Sequence, residues 1–198
     1  MMTKRIFDII LATIGLIAFA SLFILISILV GLDSKGGIFY RQIRVGRNMQ
    51  DFYLYKFRSM YVHDEDQNLL TIGGKDSRIT KIGYLLRKYK LDELPQLLNI
   101  LRGDMSFVGP RPEVRKYVNL YDNDQMQVLS VKPGITDWAS IEFYDENELL
   151  EQVEDPESFY IHQLIPQKIS QNLRYIRDHN ILTDVKILWL TLKRLIAY

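Results

Sequence analysis

No cysteine occurs in this chain, which excludes a disulfide framework, a Cys-ligated zinc site and a thiol nucleophile and makes a reducing compartment comfortable. Histidine is nearly as scarce. His63, His162 and His179 are the only three and show no ligand spacing, so a His-rich metal site or a Ser-His-Asp triad has few ways to be built. Neither common Gly-rich phosphate loop is present. Internal repeats, low-complexity stretches and an interdomain linker are also missing. Charge of one sign is not in excess, with 25 Lys+Arg against 24 Asp+Glu. At 47% hydrophobic residues in 198, the chain is no disordered tail protein and predicts one domain, or one domain with a short appendage.

The balanced total hides an asymmetry. Residues 1–141 carry a net +5 and residues 142–198 a net −4, and the stretch from Glu142 to Glu157 holds eight acids and no base. A nucleic-acid binder concentrates bases in a groove or stripe, which this chain does not do, so no nucleic-acid partner is expected.

From Ile9 to Leu32 there are 24 residues without a charge, and only Thr13, Ser21 and Ser27 are polar. A bilayer core needs about 20 apolar residues of helix, so the segment is long enough to cross. A buried helix of a soluble domain is disfavoured because the run is apolar on every face. A cleaved signal peptide is disfavoured because Leu22–Val30 continues apolar after the small-residue pattern Ala18-Phe19-Ala20. A membrane-retained helix is left. Lys4 and Arg5 precede it, and Lys35, Arg41, Arg44 and Arg47 follow it. Basic flanks prefer the cytoplasmic side, and two basic flanks on that side would demand a helix that enters and turns back; an ordinary spanning helix remains the default. Ser21 is the candidate for bending it, by bonding back to a carbonyl.

Beyond the membrane segment, Ile38–Val45 and Phe52–Phe57 read as a β-hairpin around Gly46-Arg47-Asn48. Asp64–Gly74 reads as a polar loop. Helical spacing predicts a helix over Thr80–Lys90 and a second from Asp92 to Gly103, with further helices over Glu113–Leu129 and Glu146–Val153. Gly109-Pro110-Arg111-Pro112 must be non-helical, and Lys132-Pro133-Gly134 marks a turn. In the tail, Asp184–Tyr198, the residues Val185, Leu188, Leu192, Leu195 and Ile196 form a loose apolar face beside Trp189 and Lys193-Arg194, a placement that favours the membrane interface over the core.

Asp92-Glu93 is the first candidate for chemistry. Its ordinary reading is an N-cap followed by a first-turn acid, with Pro95 early in the helix. The same placement would keep Asp92 ionised as a nucleophile and offer N–H donors to a phosphate, with a divalent ion letting an anion attack an anion. The bases Lys56, Arg58, Arg78, Arg87, Arg102 and Arg111 are solvated surface charges by default. Arg111 stands apart because two prolines fix its backbone and preorganise a bidentate fork. For Thr136-Asp137 and Asp184, capping is the default.

Taken in order, these segments resemble a family: Lys4-Arg5-Ile6-Phe7-Asp8, Phe39-Tyr40-Arg41-Gln42, Tyr55-Lys56-Phe57-Arg58-Ser59-Met60, Leu91-Asp92-Glu93-Leu94-Pro95-Gln96-Leu97, Gly103 through Pro112, and Lys132-Pro133-Gly134-Ile135-Thr136. Together they look like the bacterial sugar transferases, small monotopic polyprenyl-phosphate phosphoglycosyl transferases. That resemblance implies an α+β, mainly helical fold. A re-entrant membrane helix would occupy residues 1–33, and a cytoplasmic catalytic domain with a β-hairpin and interfacial amphipathic helices residues 34–198. It implies transfer of a sugar-1-phosphate from a UDP-sugar to undecaprenyl phosphate with release of UMP, the initiating step of a cell-surface glycan, at the cytoplasmic face of the bacterial inner membrane. Asp92 is implied as nucleophile and Mg²⁺ contact, Glu93 as the base that readies the polyprenyl phosphate, and Arg111 as a phosphate or nucleotide contact. Lys56, Arg58, Arg87 and Asp184 are implied to line the same region.

Two departures stand out. Ser21 is followed by Leu22 where relatives have Ser-Pro, and Phe143-Tyr144 follows Trp138-Ala139 where relatives often carry an Arg. The acidic stretch 142–157 is then either part of sugar recognition or a surface loop. The alternative to an enzyme is a catalytically idle, membrane-anchored scaffold of the same fold. A two-carboxylate glycosidase is disfavoured, because adjacent residues on a helix do not face each other across one bond. The sugar, the downstream glycan and the existence of a homodimer are not legible.

Overall fold

The computed structural model describes residues 2–62, 70 and 76–197. His63 and the loop expected at Asp64–Gly74, Leu70 apart, lie outside the described residues. Two helices open the chain, α1 over Met2–Ala18 and α2 over Ala20–Asp33, bent by 63° at the break between them. The bend sits at Phe19, whose φ of −98° and ψ of 11° leave the helix, rather than at Ser21. The hydroxyls that bond back are Thr13 to the Ile9 carbonyl (2.8 Å) and Ser27 to the Phe23 carbonyl (2.7 Å). Among the described residues no single helix is long and apolar enough to cross a membrane, though the bent pair meets that test together.

The charges at the ends of this pair turn inward. Lys4 donates to the Asp184 carboxylate and, at 3.2 Å, to the Tyr175 hydroxyl. Arg5 donates to the carbonyls of Ile100 and Leu101, and Asp8 accepts from the Ser106 hydroxyl (3.1 Å) and the Phe107 amide (3.2 Å). At the far end Asp33 accepts the Ile82 amide (3.0 Å), while the buried Arg58 reaches the carbonyls of Val30 (3.0 Å) and Ser34 (2.6 Å). The basic flanks are thus partly fasteners to the rest of the chain. Their outer neighbours, Ile6, Ile10, Ile14, Ile24 and Ile28, stay exposed.

The hairpin is present. Strands β1 (Phe39–Val45) and β2 (Asp51–Phe57) pair antiparallel from Phe39↔Phe57 to Val45↔Asp51. Their connection turns through Asn48 and Met49, both with positive φ. Next come α3 (Lys81–Lys88), capped by the Thr80 hydroxyl on the Gly83 amide, and α4 (Gln96–Arg102), ended by Gly103 in the left-handed region. Buried Asn99 welds α4 to β2 by accepting the Tyr55 amide (3.0 Å) and donating to the Tyr53 carbonyl (2.7 Å). A buried side chain so fully bonded fixes one register, since any shift would orphan its amide groups.

A second, unforeseen sheet pairs β3 (Ser106–Val108) parallel with β4 (Gly134–Thr136). It puts the Lys132-Pro133-Gly134 turn beside the Pro110–Pro112 loop. The predicted helix over Glu113–Leu129 is absent: α5 is only Arg115–Val118, followed by a 3-10 stretch at Gln125–Ser130. The cause is local, because Asp122 accepts the Gln125 amide (2.8 Å) and starts a new turn, as Asx side chains do in competition with a helix.

The C-terminal part is helical: α6 (Trp138–Glu142), α7 (Glu146–Glu151), α8 (Pro156–Phe159), a π-helical turn at Tyr160–Leu164, α9 (Ile165–Asp178) and α10 (Ile181–Ile196). Val114, Tyr117, Val128, Leu150, Leu164 and Ile169 form its core. On α10 the buried side is Asp184 and Ile187, with Leu188 packed beside them. The exposed stripe is Leu182, Val185, Trp189, Leu192 and Ile196, a cleaner apolar face than the sequence predicts. The fold is α+β and mainly helical, as expected.

Candidate active site

Asp92 is not the N-cap the sequence suggests. Lys90 adopts the left-handed region (φ 55°, ψ 20°), so Leu91–Glu93 form one 3-10 turn and α4 begins only after Pro95. The turn buries Asp92, leaving it 3% exposed, against the hairpin strand that carries Lys56.

The two adjacent carboxylates then differ sharply. Glu93 is clamped, with Lys56 Nζ 2.8 Å from Oε1, Arg111 Nη1 3.3 Å from Oε2 and Arg111 Nη2 on Oε1. Asp92 accepts no hydrogen bond among the described residues, and Lys56 at 4.0 Å is its nearest ion-pair partner. Burial pushes the Asp92 carboxyl above the usual range, and Lys56 only partly opposes it. Burial would raise Glu93 too, but Arg111 and Lys56 overrule it and hold that carboxyl well below the usual range. Contrary to the expectation of a helix end that keeps Asp92 ionised, the single 3-10 turn does not offset its desolvation.

Arg111 owes its position to Asp137, which accepts the Arg111 amide at 3.2 Å while capping α6 on the Ser140 amide at 2.5 Å. The Arg111 guanidinium, held charged by Glu93, also touches the Ile135 carbonyl at 3.5 Å. Two further cations, Arg87 and Lys90, act on Asp92 electrostatically. Lys90 is held below the ordinary lysine range by desolvation and then by Arg111; the residue as a whole is solvent-exposed, so that desolvation is partial. Four cations thus surround two carboxylates, an excess suited to a polyanion.

Of the residues expected to act together, the structure gathers Lys56, Arg87, Asp92, Glu93 and Arg111. Arg58 lies elsewhere in function, closing the end of α2, where Gly36 (φ 127°) leaves room for its guanidinium. Asp184 is buried under Lys4 and Tyr175, and neither partner belongs to the Asp92 cluster. Sequence reading missed Lys90 and Tyr144: Lys90 Nζ lies 5.1 Å from the centre of the Tyr144 ring. A lysine in a left-handed conformation leaves no signal in sequence, and Tyr144 enters through the path of an irregular chain.

Comparison with known proteins agrees with this geometry. The family model described as bacterial sugar transferase matches residues 1–198. A UDP-glucose:undecaprenyl-phosphate glucose-1-phosphate transferase of Xanthomonas campestris pv. campestris is 38% identical over 198 residues, covering 98% of this chain and 39% of its own length. A UDP-N-acetylgalactosamine-undecaprenyl-phosphate N-acetylgalactosaminephosphotransferase of Aeromonas hydrophila is 34% identical over 98% of this chain and 44% of its own. The chain thus spans about two fifths of the length of these relatives. An uncharacterized sugar transferase of Bacillus subtilis, 38% identical, is matched over 100% of this chain and 89% of its own length. Motifs, gathered site and whole-chain match agree: the chain belongs to the bacterial sugar transferase family.

Proposed function

We propose that this protein transfers a sugar-1-phosphate from a UDP-sugar to undecaprenyl phosphate, releasing UMP, through a covalent phosphosugar–aspartate on Asp92. The observation that carries this is the contrast between Glu93, saturated by Lys56 and Arg111, and Asp92, whose oxygens accept no hydrogen bond from the described residues. In the first half-reaction an Asp92 oxygen attacks the phosphorus that bears the sugar. The bond from that phosphorus to the bridging oxygen breaks, and UMP leaves with the electron pair. In the second, an oxygen of the polyprenyl phosphate attacks the same phosphorus and expels the Asp92 carboxylate, yielding the polyprenyl diphosphosugar. Splitting the exchange at one carboxylate avoids bringing two polyanions together in a single step. The four cations supply the field that stabilises phosphoryl oxygens in transfer.

Glu93 is the proposed base for the second half-reaction. Its pairing with Lys56 and Arg111 suppresses basicity, so phosphate oxygens competing for those cations would release it when substrate is present. Mg²⁺ fits the donor chemistry of Asp92, a buried carboxylate that accepts no hydrogen bond from the described residues. An ion of this kind takes one or two carboxylates and completes its shell with water and substrate phosphate. Mg²⁺ held by Asp92 would neutralise phosphate charge.

Residues 1–33 are read as a re-entrant membrane segment and residues 34–198 as a catalytic domain at the cytoplasmic face of the inner membrane. The support is that both ends of the helix pair are fastened to the same body, by Lys4, Arg5 and Asp8 at one end and by Asp33 and Arg58 at the other. At 1.5 Å per residue, α1 and α2 reach only about 25 and 21 Å, short of a hydrocarbon core of about 30 Å. The exposed stripe of α10 supports the interface location.

The test is UMP release from a panel of UDP-sugars with undecaprenyl phosphate and Mg²⁺, comparing wild type with Asp92→Asn. Release with one or a few sugars, lost in the variant together with the adduct, is expected. Wild-type-like turnover by Asp92→Asn would sink the mechanism. Absence of both release and adduct across the panel would favour an idle scaffold.

A further inference from the structure

We propose that Lys90 is a further phosphate-binding cation of this site, steadied over the Tyr144 ring and presented to the anionic donor beside Asp92. The inference rests on the reading that the site takes a nucleotide sugar.

The cations of the site are not equally available. Lys56 and Arg111 are tied to Glu93 within hydrogen-bond distance, and withdrawing either leaves a buried carboxylate unpaired. Lys90 has no carboxylate within ion-pair reach among the described residues, although its charge acts on both Asp92 and Glu93. Its ammonium therefore faces the carboxylates without being consumed by them.

Its placement is built. The left-handed backbone of Lys90 is uncommon for a side chain larger than glycine, and such conformations persist only where their surroundings hold them. Here the Lys90 amide donates to the Arg87 carbonyl (3.2 Å) and its carbonyl accepts the Glu93 amide (3.3 Å), so one residue joins the end of α3 to the Asp92 turn. The side chain is held by the Tyr144 ring at 5.1 Å, and the same ring lies 5.4 Å from the Arg194 guanidinium, which pairs with Asp145 at 3.0 Å. A cation over a ring is positioned through the ring's quadrupole and spends none of its N–H donors. Three donors remain for phosphate oxygens. Tyr144 is thus a positioning residue, braced from α10, and Lys90 the group that touches substrate.

The experiment is titration calorimetry on the full chain in lipid nanodiscs with Mg²⁺, using UDP and inorganic pyrophosphate as separate probes. The variants are Lys90→Gln, Lys90→Arg, Tyr144→Leu and the Lys90→Gln/Tyr144→Leu double. Lys90→Gln is expected to weaken both probes about tenfold, and Lys90→Arg to keep most of the affinity. Tyr144→Leu is expected to cost about threefold alone and nothing further in the Lys90→Gln background, a non-additivity that general loosening of the fold would not give. Unchanged affinity in Lys90→Gln overturns the proposal. A full Tyr144→Leu loss that persists without Lys90 overturns the positioning role. Lys90-dependent binding of pyrophosphate without binding of UDP would uphold Lys90 and sink the UDP-sugar donor instead. Binding of neither probe by the wild type would sink both.

Discussion

Asp137 holds Arg111 by its backbone: the carboxylate accepts the Arg111 amide at 3.2 Å and, on its other oxygen, the Ser140 amide at the start of α6. One fully buried side chain thus sets both a helix entry and the loop that aims a guanidinium at Glu93. Asp137→Ala removes a helix cap and a charged hydrogen bond, for a loss of about 2 kcal/mol by thermal or urea unfolding. Turnover should fall further than stability predicts at temperatures where the variant is folded. Full activity in a folded Asp137→Ala would show that the loop orients itself.

The two central carboxylates should pull stability in opposite directions with pH. Asp92 has its pKa raised in the fold, so ionising it costs stability as pH climbs through its unfolded value of about 4, and the cost is complete above the folded value. Asp92→Asn should then melt higher than wild type at pH 7 in EDTA, with the gain vanishing in acid.

Glu93 has the opposite sign. Its depressed pKa contributes stability that is present above about pH 4.3 and lost as pH falls through the folded value. Glu93→Gln should lose about 2 kcal/mol at pH 7, below the usual cost of breaking a buried pair because the Arg111 side chain is 35% exposed. Its unfolding curve should also be flatter in acid. Parallel acid profiles for Glu93→Gln and wild type would count against the clamp.

Gly134 and Gly109 meet backbone to backbone. A Cβ on Gly134 would lie 2.2 Å from the Gly109 nitrogen, and no side chain can move aside to relieve it. Gly134→Ala should cost about 1–3 kcal/mol and disturb the β3–β4 pair that carries Arg111's loop. A variant as stable as wild type would mean this approach relaxes freely.

The membrane reading has two checks. Trp189→Glu with Leu192→Glu should reduce liposome co-flotation while leaving the melting temperature within a degree or two, since both side chains are more than half exposed (59% and 52%). Because the chain has no cysteine, single cysteines at Thr3 and Gly37 can be labelled without background. Both should label from the cytoplasmic side. Periplasmic labelling at residue 3 would mean a spanning helix.

What sequence made legible was what local rules govern. The hairpin followed from aromatic and β-branched residues on either side of Gly46-Arg47-Asn48, and α3 from apolar residues at helical spacing. The Asp92–Glu93 pair stood out as acids at the start of a predicted helix, and Arg111 because Pro110 and Pro112 restrict its backbone. What escaped depends on distance or rare backbone. The β3–β4 pair joins three-residue strands far apart in sequence, and a turn started by Asp122 broke a helix that periodicity favoured. Lys4 and Arg5 read as topogenic flanks, and their inward partners Asp184, Ile100 and Leu101 were invisible.

That inward turn has a consequence for how the protein is made. Lys4 and Asp184 are separated by 180 positions, so α1 is made long before its partner on α10. Until then Lys4 lacks its carboxylate, whereas the partners of Arg5 and Asp8, at Ile100, Leu101, Ser106 and Phe107, are made some way earlier. Closing such a long loop comes late in folding. On the membrane reading, a ribosome stalled before α10 should therefore hold a chain that is already membrane-associated but has not yet closed the Lys4–Asp184 pair.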